Sequence, residues 1–328
     1  MERGLLVAGL VLFAVLLHET GTRVVAGNIR LVGWGIGLIV LQELLAYACN
    51  TLGWCYAFPL PRPAIPFRRL LAVRLAGDAI NYVTPTANVG GEFLRVRLLS
   101  GRVPTAAAVA SVAIAKLNQT VAQVAFILVG LLVVLRDTTL PPALGRSLLI
   151  SAAIMSAVAL PLLVAPRRTL LGPLRRVLHT LGVPRHALGL GVRPGQVDDE
   201  GRAFHLSGRP GFPASTAWFL VGWTVGLLEV SLMLYFLDVP VTVERVVAIE
   251  VFSSAVDGLL FFVPGKVGTQ EGSKVLVFTL LGLDPAKGLS LAILRRIREL
   301  AWAAVGLLVL SRLQARATPV PDPVAVGD

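Results

Sequence analysis

Long apolar runs alternate with short polar connections along most of this chain. Six runs, at about 4–20, 31–56, 105–135, 147–165, 214–237 and 286–311, are long enough to cross a hydrocarbon core of about 30 Å as helices. Two further stretches, 70–99 and 246–283, are apolar at both ends but broken midway by proline and glycine. A break of that kind at membrane depth is tolerated only where backbone groups find protein or water partners, so these stretches predict re-entrant hairpins or discontinuous helices.

The two broken stretches share a skeleton. In the first, Asp78, Pro85 and Glu92 are separated by six residues each, and 179 residues later Asp257, Pro264 and Glu271 repeat that spacing. Glycines crowd both proline-to-acid segments, Gly90 and Gly91 in one and Gly265 and Gly268 in the other. The span before each hairpin carries a matching GW-x-x-GL, at Gly33, Trp34, Gly37 and Leu38 and again at Gly222, Trp223, Gly226 and Leu227. Three spans separate the hairpins, so the second enters from the opposite side to the first. The expected fold is an all-α polytopic membrane protein built as an inverted repeat, each half with about three spans and one re-entrant or broken-helix hairpin. Its parts are 1–136, an external loop 137–146, a second repeat 147–313 and a disordered tail 314–328. A purely structural duplication is the competing account.

Composition agrees with the pattern: 55% of the 328 residues are hydrophobic and only 15% charged, with a mean hydropathy of +0.77. The formal net charge of +11 would point to nucleic acid in a soluble chain. Here most arginines fall in connections, as the positive-inside rule expects, so nucleic acid is not expected as a partner. The connection 166–213 holds eight arginines and is assigned to the cytoplasm, together with both termini of an inner-membrane protein. Arg62, Arg68, Arg69, Arg95, Arg97 and Arg102 then flank the first hairpin on that side. Within the connection, 170–181 has an apolar face that fits either an interfacial helix on anionic lipid or a solvated linker, and the remainder through residue 213 reads as flexible loop. The N-terminal run lacks a small-x-small cleavage site and reads as a retained span. Cys49 and Cys55 lie in one apolar stretch without metal or disulfide spacing.

Charges inside the apolar runs carry the candidate chemistry, because they are expensive at that depth. Arg295, Arg296, Arg298 and Glu299 lie roughly 15 to 21 Å along the last span, counting about 1.5 Å per residue from Pro285. Arg295, Arg298 and Glu299 share one face and are expected to present two guanidiniums to one cavity. The matching span of the first half offers Lys116, Gln119 and Gln123, and Asn81 and Gln270 sit beside the hairpin breaks. Guanidinium forks and helix N-termini at glycine-rich breaks both suit phosphate. Two readings stay open: these groups bind an anionic headgroup, or Asp78, Glu92, Asp257, Glu271 and Glu299 pair internally with Arg74, Lys116 and the three arginines. Glu43 and Glu229, each the sole charge of its span, allow a proton-coupling role or an internal hydrogen bond.

No HExxH, GxSxG, Walker or dinucleotide motif stands in a usable context. The chain is therefore not expected to be an enzyme or to need a cofactor, and the acidic triplet Asp198, Asp199 and Glu200 reads as solvated rather than metal-binding.

At NYVTPTANVGGEFLRVRLL and VPGKVGTQEG followed by LRRIREL, the chain resembles the transmembrane region of the lysylphosphatidylglycerol synthase family, the flippase-like membrane proteins, over nearly its whole length. Its QEG with RRIRE is most similar to the hopanoid-associated branch. The resemblance implies movement of lipids or polyprenyl-linked intermediates between leaflets. Some members are fused to a transferase domain that this sequence does not contain, so synthase activity is not carried over. A membrane-embedded transferase on a lipid-linked substrate and a non-catalytic partner of a lipid-biosynthesis enzyme are the alternatives.

Overall fold

The computed structural model describes residues 22–84, 90–136, 194–206, 211–260, 263 and 267–315, with scattered positions between 15 and 18 and between 142 and 157. Pro85, Pro264, Gly265, most of the first and fourth expected spans, the stretch 170–181 and the end of the tail lie outside the described residues.

Among the described residues the structure is helical, without strands. The helices are α1 (Thr22–Val32), α2 (Gly35–Tyr56), α3 (Phe67–Val83), α4 (Gly90–Leu99), α5 (Thr105–Arg136), α6 (Pro194–Leu206), α7 (Gly211–Phe236), α8 (Val243–Leu259), α9 (Thr269–Leu280) and α10 (Pro285–Ala315). Of these, α2, α5 and α7 are long and apolar enough to cross a membrane. Helix α10 nearly matches α5 in length, 31 residues against 32, but is interrupted by its charges.

Local signals set the ends. Gly33, at φ +50°, separates α1 from α2. Thr242 caps α8 by accepting the Arg245 N–H at 3.3 Å, and the Asp284 carboxylate accepts the Ala286 N–H at 2.9 Å where Pro285 opens α10. Both broken stretches form helical hairpins. Their first arms, α3 and α8, are 17 residues each, while the second arms differ, 10 residues in α4 and 12 in α9. At about 1.5 Å per residue the second arms reach only ~15 to 18 Å, about half a hydrocarbon core.

Helices α2 and α7 pack antiparallel along their whole length. Trp34 meets Phe236 edge-on with ring centroids 5.4 Å apart, and at the far end the Ser215 hydroxyl donates to the Gly53 carbonyl at 2.8 Å. Small residues permit the approach, since a Cβ on Gly53 would lie 2.9 Å from the Phe219 ring. Around this pair the contacts come in matched sets. Hairpin arm α3 packs on α10 and α8 on α5; α5 packs on α7 and α10 on α2; α3 pairs with α4 and α8 with α9. Each long helix receives the other half's hairpin at a glycine, Gly130 against Val251 and Gly306 against Leu75 and Ala79.

Two apolar cores result. One gathers Trp54, Phe58, Val73, Leu99, Ile114 and Phe219, and the other Ile39, Phe126, Met233, Ile249, Phe252 and Leu294. Along α2, Ile39 belongs to one core and Trp54 to the other, with Glu43 and Tyr47 between them, so a polar layer separates the two.

One expectation is overturned. The segment expected to continue as flexible loop up to residue 213 contains α6, docked on α5. Val197, Gly201 and Phe204 fall on one face at i, i+4 and i+7 and are buried, with Phe204 against Gly211. Two large apolar residues suffice because α5 supplies the surface they cover.

Candidate functional site

The polar layer encloses a cavity of about 290 Å³ lined from α2, α3, α4, α5, α9 and α10. On α3, residues four apart bring Arg74 and Asp78 to one face. Asp78 takes Arg74 Nε at 3.6 Å and Arg95 Nη2 at 2.5 Å. Arg95 reaches Glu92 Oε2 at 2.7 Å from one turn along α4, and Glu92 Oε1 lies 3.8 Å from Lys116 Nζ on α5. The hairpin closes tightly enough for this because Gly77 and Gly91 face one another and the Gly91 N–H donates to Asn81 Oδ1 at 2.7 Å.

The opposite wall is built on α10. Arg298 donates through Nη1 to Glu43, lies 3.2 Å through Nε from Glu229 Oε1, and has Glu299 at 3.8 Å from Nη2. Arg295, 6% exposed, is held behind the wall by Glu229 at 2.9 Å and Glu250 at 2.7 Å. Arg296 spans to Glu271 at 2.9 Å and donates to the Tyr82 hydroxyl at 3.2 Å, joining α10 to α3. Glu271 also accepts the Gly268 N–H at 2.8 Å, where φ is +80°, and Gln270 Nε2 donates to Glu299 at 3.1 Å.

Four carboxylates, Glu43, Asp78, Glu92 and Glu299, thus face four cations, Arg74, Arg95, Lys116 and Arg298, across one cavity. Its depth follows from α2: exposed Trp34 and Tyr235 mark one interface, Tyr56 under Arg62 at 4.5 Å marks the other, and Glu43 and Tyr47 lie about 12 and 18 Å along the helix. A charged cavity at the middle of the bilayer is where membrane proteins that handle polar groups place their sites.

The family model for the lysylphosphatidylglycerol synthase TM region matches residues 3–306, both hairpins included. The chain belongs to that family. Neither a curated protein nor a solved structure matches it. The lysylphosphatidylglycerol synthase TM region is a membrane domain of lipid-related proteins, and this chain is a membrane protein of that kind.

In this member of the synthase TM-region family, eight sequence-predicted site residues line the cavity: Asp78, Asn81, Glu92, Lys116, Gln119, Gln270, Arg298 and Glu299. Gly90, Gly91 and Gly268 shape the hairpin turns beside it. Gln123 lies away from it, donating to the Ser254 carbonyl at 3.0 Å and tying α5 to α8. Asp257, Glu271, Arg295 and Arg296 stand behind the lining. The expectation that Arg295 and Arg298 both open on one cavity is thereby corrected. A shared helical face brings Arg295 and Arg298 to Glu229, but only Arg298 reaches the opening.

Arg95 is a second correction. Expected as a cytoplasmic flanking charge, it is buried, with its guanidinium 5.6 Å from the Trp54 ring centre. The repeat itself carried the signal: Arg95 follows Glu92 by three residues as Lys274 follows Glu271, and both cations are buried. Tyr47, Tyr82, Trp302 and Glu250 left no such mark in the sequence.

Proposed function

We propose that this protein is a lipid transporter of the inner membrane that passes an anionic or isoprenoid-type lipid between leaflets, with the headgroup crossing through the cavity and the tails remaining in lipid. The observation that carries this reading is a charged cavity at mid-depth lined by residues of both hairpins. Cations suit a phosphate, and the hairpins' short second arms leave polar groups half-way across the bilayer rather than at its faces. The matched helix contacts and the antiparallel α2 and α7 support an inverted repeat whose halves rock about this site. Arginines without acids at Arg62, Arg68, Arg69, Arg97, Arg102 and Arg312, against Arg30, Arg136, Arg245 and Lys287 mixed with Asp238, Glu244 and Asp284 at the other end, support cytoplasmic termini. No covalent chemistry is assigned to the site.

The test is reconstitution of the full chain in phosphatidylcholine vesicles carrying a fluorescent phosphatidylglycerol, with leaflet exchange read by quenching of the outer leaflet. Exchange at least about tenfold above protein-free vesicles is expected. Arg298→Lys, which keeps the charge but loses the planar fork, is expected to abolish most of it. Exchange no faster than in empty vesicles for phosphatidylglycerol, a hopanoid and a polyprenyl phosphate alike overturns transport.

A further inference from the structure

The cavity wall is electrically balanced before any ligand arrives, and the layer behind it is not. Arg295 is shared by Glu229 and Glu250, Arg298 by Glu43 and Glu229, and Arg296 by Glu271 and Glu299. Behind the wall, Arg295, Arg296 and Lys274 therefore stand with Glu229, Glu250, Glu271 and Asp257, three cations for four carboxylates. A phosphodiester headgroup entering at this depth adds another negative charge where water cannot screen it, which is strongly unfavourable without a compensating positive charge.

We propose that the headgroup binds together with one proton, and that Glu43 is the carboxylate that takes it. The proposal rests on the headgroup reading above and adds its coupling. Glu43 is distinguished by where it stands. It lines the cavity, whereas Glu229 and Glu250 are 2% and 5% exposed behind it. Among the described residues it is held by Arg298 alone, whereas Asp78 and Glu92 each hold two cations and Glu299 also accepts from Gln270 and meets Arg296. Around it stand Tyr47 one turn along α2, Arg295, Arg298 and Glu299 on α10, Glu229 on α7, Arg74 and Asp78 on α3 and Lys116 on α5.

The step balances. A proton from the cavity water bonds to a Glu43 oxygen, the carboxylate becomes a neutral acid, and its hydrogen bond from Arg298 Nη1 breaks. Arg298 keeps its charge and its anchor, because Nε still faces Glu229 at 3.2 Å. Its outer edge is then open: among the described residues Nη2 has only Glu299 at 3.8 Å, beyond hydrogen-bond length. Nη1 and Nη2 form the fork that grips two phosphate oxygens. One positive and one negative charge enter together, and the site's net charge is conserved. A proton gradient then loads the site from the acidic side and empties it on the other.

The experiment is calorimetric titration of the purified full chain with short-chain phosphatidylglycerol, and separately with dimethyl phosphate, in buffers of different ionisation enthalpy. The expected result is uptake of about one proton per ligand, with affinity rising up to about tenfold per unit fall in pH. Glu43→Gln is expected to bind with a proton count near zero and no pH dependence. Binding by wild type without proton uptake overturns the coupling alone, whatever the variant's folding, and so does an unaltered proton count in a folded Glu43→Gln. Absence of binding by either ligand overturns the headgroup reading and the coupling with it. Tighter binding of the lipid assigns the anion to a headgroup; equal binding assigns it to free phosphodiester, and the proton count supports the coupling in both cases.

Discussion

At the scale of single residues, Arg295 and Arg298 show how three positions along one helix separate a structural charge from a cavity charge. Both touch Glu229, but Arg295 also meets Glu250 and is sealed between α7 and α8, whereas Arg298 turns to Glu43 and the cavity. A buried ion pair contributes little net stability when intact, yet removing one partner strands a charge without solvent. Arg295→Met should therefore destabilise the protein by about 3–5 kcal/mol, read as a drop in thermal midpoint in detergent. Arg295→Met combined with Glu250→Gln should recover part of the loss, because Glu229 still faces Arg298 and the carboxylate that lost its cation is then neutral. A single variant as stable as wild type would show that the pair carries no structural role.

At the scale of elements, the first hairpin depends on glycines that no periodicity reveals. A Cβ on Gly91 would fall 2.7 Å from the Asn81 side chain, and one on Gly77 would lie 2.7 Å from Arg95 Nε. A Cβ on Gly91 would also collide with the Gly77 carbonyl oxygen, and Asn81 is held by the Gly91 N–H and Arg95 by Asp78 and Glu92, so these neighbours have nowhere to move. Gly91→Ala should splay α3 from α4, break the hydrogen bond to Asn81 and draw Arg95 away from Asp78. Transport in the vesicle assay should fall at least tenfold, while the distance between spin labels on exposed Ser100 and Val83 changes; an unaltered distance with full transport would refute the packing argument. The second element-scale lesson is α6. Its sequence has few apolar residues and no strong cap, and its helix exists because Val197 and Phe204 find α5 to cover.

At the scale of the whole molecule, two apolar cores hold a charged layer between them, and α2, α5 and α10 run through all three. The arginine-rich end of that stack belongs to the cytoplasm if charge sets orientation. In a background lacking Cys49 and Cys55, Val241→Cys should react with a membrane-impermeant maleimide in intact cells, and Arg102→Cys only after permeabilisation; both positions are exposed. The reverse labelling would invert the topology and the direction in which a proton gradient drives the site.

The sequence by itself determined the membrane class, three of the six spans expected from it and the two broken stretches, because apolar run length and proline–glycine breaks are properties of contiguous residues. It also exposed eight cavity residues, since a charged or amide side chain within an apolar run is conspicuous wherever it points. Tertiary structure alone decided which acid answers which arginine. Glu43, Glu229 and Glu250 come from three different helices and meet α10 only once α2, α7 and α8 have packed around it, and no spacing along the chain encodes that meeting. Folding likewise turned Arg95 inward: Glu92 one turn away and Asp78 across the hairpin compensate a charge that, read in sequence, belonged to the membrane surface.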